Sequence, residues 1–125
     1  MDPEAIMRDI VDAAYRIHVA LGPGLMESVY QAVLARDLVR RGHTVLIQQK
    51  IRFEYDGMVF EQGLRPDLIV DGLVVVELKS VEILAPIHPK QLLTYLRLLR
   101  LRYGLLINFG GATLKEGVRR IINGY

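Results

Sequence analysis

Three charged residues stand inside two otherwise apolar runs, Asp67 in "LRPDLIV" and Glu77 and Lys79 in "LVVVELKS". Charges seldom enter such segments unless they are paired or hold a metal. In a strand, residues two apart share a face, so Glu77 and Lys79 project together while Val76 and Leu78 point the other way. Whether Asp67 joins them depends on the turn at Asp71-Gly72. A two-residue turn pairs Asp67 with Val76 and sends it to the opposite face, whereas a three-residue connection, Asp71 to Leu73, pairs it with Glu77. In the second register the two carboxylates repel each other unless something positive lies between them. Two carboxylates, completed by a backbone carbonyl such as that of Leu78 and by water, make a donor set that Mg2+ accepts. Such an ion polarises a phosphoryl oxygen and acidifies a bound water, and Lys79 would orient or help deprotonate that water. The competing reading is an Asp–Lys–Glu ion-pair cluster on a half-exposed sheet.

The elements that would position these groups follow from periodicity. Pro3 to Ala20 repeats apolar residues at a helical spacing (Ile6, Ile10, Ala13, Ala14, Ile17), with Asp2 as N-cap and Pro3 at the first helical position. "LGPGL" breaks that helix, and a second runs from about Met26 to Arg41 with Val29, Val33, Leu34 and Leu38 inward and Gly42 as a left-handed cap. From Val45 the period becomes two and holds to Tyr55, where Asp56-Gly57 signals a hairpin. Strands are expected at Met58 to Gln62, Arg65 to Val70 and Val74 to Val81, the last two central and covered on both faces. A helix from Lys90 to Leu101, a strand from Tyr103 to Phe109 and a last helix from Thr113 to Ile122 complete the order ααββββαβα. The expected fold is α/β, a mixed sheet flanked by helices, with one parallel pair made by the late strand–helix–strand crossover.

At 125 residues the chain suits a single domain, spanning 1–125, large enough to bury a core. Sixteen basic residues against fourteen acidic ones leave a net charge of +2, which permits a nucleic-acid partner without demanding one. The absence of Cys excludes disulfides and thiolate zinc sites. No apolar run approaches membrane-spanning length, and acids at the N-terminus stand where a signal peptide wants positive charge, so a cytoplasmic protein without a membrane partner is expected. The remaining surface is small for target selection, which suggests a homodimer or a partner protein that supplies specificity.

Arg65-Pro66-Asp67, followed after nine residues by Glu77-Leu78-Lys79, resembles the PD-(D/E)XK signature of restriction-endonuclease-like nucleases, and the element order is similar to that fold's αβββαβ core. "GLMESVY", Gly24 to Tyr30, matches the GxxExxY pattern that names one small family within that superfamily. "QLLTYL", Gln91 to Leu96, and "LLINFGG", Leu105 to Gly111, resemble that family's later segments. The resemblance implies a restriction-endonuclease-like fold and a Mg2+-dependent nuclease, with Mn2+ as substitute and DNA favoured over RNA as substrate. It implies Asp67 and Glu77 as metal ligands, Lys79 as catalytic lysine, and Glu27 as an extra carboxylate for the metal or its waters. Gln91 and Tyr95 would line the site, with Tyr30 and His88 beside it. Binding-only members of the superfamily keep open the alternative of a non-catalytic module for nucleic acid or a protein partner. His18 and His43 read as packing or surface residues, since no His pair has metal-ligand spacing.

Overall fold

The computed structural model describes residues 1–124. Helix α1 (Pro3–Leu21) starts as its sequence dictates, with Asp2 accepting from the Glu4 amide and Pro3 in the first turn. Helix α2 (Glu27–Arg40) ends where Gly42 turns left-handed at φ 95°. Strands β1 (Val45–Ile47), β4 (Leu68–Val70), β5 (Val74–Lys79), β6 (Tyr103–Asn108) and β7 (Val118–Ile122) form a mixed sheet in the order β1-β4-β5-β6-β7. Strands β2 (Ile51–Tyr55) and β3 (Met58–Leu64) make a separate hairpin, closed by Asp56 and Gly57, both at positive φ as the Asp-Gly signal requires. Helix α3 (Ile87–Leu99) crosses from β5 to β6, which pair in parallel as expected.

The central strands β4, β5 and β6 are buried on both faces. Leu68, Val70, Val74, Val76, Leu78, Leu105 and Ile107 pack under α1 and α2, while Ile69, Val75 and Leu106 pack under Leu92 and Leu96 of α3. The alternation that puts Val75 under α3 puts Glu77 and Lys79 on that face too.

Several expectations change. The residues read as a last helix, Thr113 to Ile122, form a 3-10 turn (Lys115–Gly117) and then β7. A Cβ at Gly117 would lie 2.5 Å from the Asn108 carbonyl oxygen, so the close approach of this turn to the end of β6 needs glycine. Strand β6 would otherwise leave a row of backbone groups unpaired, and the β-branched Val118, Ile121 and Ile122 suit the strand that pairs with it. The single strand expected from Val45 to Tyr55 is two, interrupted at Gln48, whose φ of 50° is left-handed. The observed order is therefore ααβββββαββ, with a closing strand in place of the final helix. Val29, expected inward, is exposed.

His43, expected to be a packing or surface residue, clamps three elements. Its Nδ1 lies 2.5 Å from Asp71 Oδ2 at the β4–β5 turn and its Nε2 lies 2.8 Å from Asp9 Oδ2 on α1. Asp71 also accepts from the Thr44 amide. Burial pulls the imidazole toward neutrality, but its bonds to Asp71 and Asp9 together outweigh that and hold its pKa above the usual 6.5. A pKa raised by folding stabilises fully below pH 6.5 and loses that contribution as pH climbs through the folded value. His43→Gln should therefore lower the melting temperature by several degrees near pH 6 and by less near pH 9, read by thermal denaturation across pH. An equal loss at both pH values would show that the charge on His43 contributes nothing.

Candidate metal centre

The turn between β4 and β5 decides the site. Asp71 and Gly72 adopt positive φ (54° and 66°), the Leu73 amide donates to the Val70 carbonyl, and Val70 pairs with Val74. This is the three-residue connection, and it sets Leu68 opposite Val76, so that Asp67 stands across from Glu77. The Asp67 amide donates to Glu77 Oε1 at 3.0 Å, and the Leu78 amide donates to Asp67 Oδ2 at 2.8 Å. Two carboxyl groups thus meet at the end of the sheet, on the face covered by α3.

Their proximity has an electrostatic consequence. Glu77 is only 6% exposed; burial, with the adjacent Asp67 charge second, pushes its pKa up from 4.5 to about 8, against smaller relief from Lys79. Without a cation Glu77 keeps its proton at neutral pH. Tyr95, on α3 above the pair, keeps its hydroxyl proton more tightly than usual because it is partly buried and faces Glu77, with a hydrogen bond to the Arg65 backbone acting in the opposite sense.

The end of β5 is held rigidly. The Phe109 amide donates to the Lys79 carbonyl, and the buried Asn108 side chain bonds both the amide and the carbonyl of Val81 as a strand would. Gly110 runs so close to Val81 that a Cβ there would collide with its backbone. Lys79, half-buried, emerges from this fixed point.

The other expected residues fall in distinct places. Tyr30 is fully buried and stacks on Phe109 at 4.3 Å, while its hydroxyl donates to the Gly22 carbonyl and accepts from the Leu25 amide. It therefore supports the site from behind instead of lining it, since its polar atom is consumed by the loop. That loop carries Glu27, exposed in the first turn of α2, and the Leu25 carbonyl accepts from the Ser80 hydroxyl, so Glu27 and Ser80 line one hollow. Gln91 is exposed on α3, one turn before Tyr95, and His88 Nδ1 accepts from the Ala85 amide to close the turn into that helix. Among the described residues no three His, Cys, Asp or Glu side chains gather around one point. The donor set fits a hard divalent cation on a narrower basis: two opposed carboxylates whose mutual repulsion a cation would relieve, beside backbone carbonyls at a strand end.

Two contributors escape sequence reasoning. Gln48 Nε2 donates to Asp67 Oδ1 and to Gln31 Oε1, each at 2.7 Å. The only trace in the sequence is the polar pair Gln48-Gln49, which interrupts the alternating run that begins at Val45.

A profile of the PD-(D/E)XK nuclease superfamily matches residues 4–121, nearly the whole chain. The chain belongs to that superfamily. Curated proteins offer no significant match. The five-stranded mixed sheet between helices agrees with a restriction-endonuclease-like fold. PD-(D/E)XK nucleases generally use divalent metal ions. Among the described residues no helix is long and apolar enough to cross a membrane.

A carboxyl group with a folded pKa of about 8 against 4.5 keeps its proton after the unfolded chain has lost it. Stability of the metal-free protein then falls as pH rises between those values. Glu77→Gln should flatten that portion of the curve and, near pH 8, melt several degrees above the parent chain in EDTA. A parent and variant with parallel melting curves would show that no buried proton resides there.

Proposed function

We propose that this chain is a Mg2+-dependent nuclease that hydrolyses phosphodiester bonds, with DNA favoured over RNA because the resemblance is to restriction-endonuclease-like nucleases. The observation that carries the reading is the meeting of Asp67 and Glu77 just beyond the Leu68–Val76 end of the β4–β5 ladder, where the Asp67 amide donates to Glu77 Oε1, with Lys79 on the same face of β5. Bound between the carboxylates, a divalent cation would polarise a phosphoryl oxygen and lower the pKa of a water. Asp67 and Glu77 hold the cation, with the Leu78 carbonyl as a further donor. Lys79 orients the attacking water through its ammonium group and offsets negative charge on the phosphoryl oxygens. Glu27 approaches from the Ser80 side and acts through a water held near the cation. Tyr95 stays a neutral hydrogen-bond donor over the site, and Gln91 flanks the path of the substrate strand along α3. Gly24, Glu27 and Tyr30 support membership of the GxxExxY family. A cytoplasmic homodimer, or a partner protein that selects the target, completes the proposal.

A second reading has one observation in its favour, the absence of a third acidic side chain at the carboxylate pair among the described residues. It makes the chain a nuclease-like module that binds nucleic acid or a protein without cleaving.

Cleavage of plasmid and of single-stranded DNA in Mg2+ or Mn2+ separates the two. Asp67→Ala and Lys79→Ala should each reduce cleavage by roughly a hundredfold or more, and Glu27→Gln by less. Parent and variants cleaving alike would discard the nuclease reading. DNA binding that persists in EDTA and in Asp67→Ala, with no cleavage by the parent, would establish the second.

A further inference from the structure

We infer that Gln48, braced by Gln31, is a positioning residue that locks the Asp67 carboxylate in the orientation needed to receive the cation. The inference rests on the nuclease reading of the site and extends it to two residues outside the PD-(D/E)XK signature.

Asp67 has two rotatable side-chain bonds, so its carboxylate is fixed only as far as its hydrogen bonds fix it. The Leu78 amide holds Oδ2 from one side and Gln48 Nε2 holds Oδ1 from the other. Each oxygen keeps acceptor capacity after its bond is made. The Gln48 amide is itself oriented, because its nitrogen sits between two acceptors, Asp67 Oδ1 and Gln31 Oε1. A carboxylate accepts only, so nitrogen and not oxygen must face Asp67. Gln31 thereby passes the rigidity of α2 to the carboxylate through two bonds of 2.7 Å.

The residue type suits the task. A lysine or arginine at position 48 would hold Asp67 as firmly but would place a positive charge where a cation must bind. An amide donates without that charge. The backbone supplies independent support: Gln48 holds φ at 50°, a conformation that costs a non-glycine residue free energy, at the break between β1 and β2. Its own amide also donates to the Asp67 carbonyl, so backbone and side chain grip the same residue. A regular strand would need no such conformation, and the break delivers the Gln48 side chain to the acid.

Gln48→Gly is the decisive variant, because glycine tolerates the left-handed backbone and removes only the side chain. Titration calorimetry with Mn2+ alone should show affinity weaker by roughly tenfold or more in Gln48→Gly, and weaker by less in Gln31→Leu, while melting in EDTA stays within a few degrees of the parent for Gln48→Gly, because relief of the left-handed backbone offsets the lost hydrogen bonds. Asp67→Ala serves as the control that abolishes binding. If the parent binds Mn2+, Asp67→Ala does not, and Gln48→Gly binds as tightly as the parent, the positioning role is overturned and the metal site stands. If the parent takes up no Mn2+, both fall. Should Gln48→Gly melt well below the parent, Gln31→Leu decides: unchanged affinity there overturns the brace.

Discussion

Val70 pairs with Val74, and from that single pairing the chemistry of the molecule follows. The left-handed Asp71 and Gly72 fix a three-residue connection, and the pleat then brings Asp67 and Glu77 to one face at the end of the sheet. A slip of one residue would leave Glu77 and Lys79 beneath α3 and send Asp67 to the face covered by α1 and α2. The apolar alternation guards against that slip, since it would also carry Leu68 and Val70 out of one core and Ile69 out of the other. Register and site are thus specified by the same burial.

Placing a buried carboxyl group beside a half-buried one opposes folding, and the surroundings show how the chain tolerates it. Glu77 keeps a proton, Asp67 takes hydrogen bonds from the Leu78 amide and Gln48, and among the described residues no buried side-chain polar atom lacks a partner. Carboxyl groups held in this way have fixed positions before any ligand arrives. Rigidity comes from both faces of the sheet: Tyr30 stacked on Phe109 anchors the loop before α2, Ser80 ties that loop to the end of β5, and Asn108 sews Val81 to β6. The clamp of Asp9, His43 and Asp71 secures the opposite end of the β4–β5 hairpin to α1.

Much of this was legible in the residues themselves. Asp2-Pro3, Gly42 and Asp56-Gly57 mark boundaries through local backbone chemistry, and the structure places each where that chemistry requires. The Asp71-Gly72 turn was legible only as a choice between two registers, because both residues accept positive φ in either. The last segment misled because Leu114, Val118 and Ile122 recur at a helical spacing, while the demand of β6 for a hydrogen-bonded neighbour is a tertiary fact that no local pattern carries. Gln48 and Gln31 were all but invisible for a related reason. Neutral amides far apart in sequence carry no spacing signal, and their role appears only when the strand breaks and the two side chains meet Asp67. Tyr30 matched a functional pattern yet serves by packing, with its hydroxyl taken up by Gly22 and Leu25.

The claim on which the account stands is that Asp67 and Glu77 together receive a divalent cation. Crystals soaked in Mn2+ and measured for anomalous scattering test it directly. The account predicts a peak between the two carboxylates, within about 2.0–2.3 Å of an oxygen from each. Clear density for both side chains with no anomalous peak between them, at millimolar Mn2+, would contradict it.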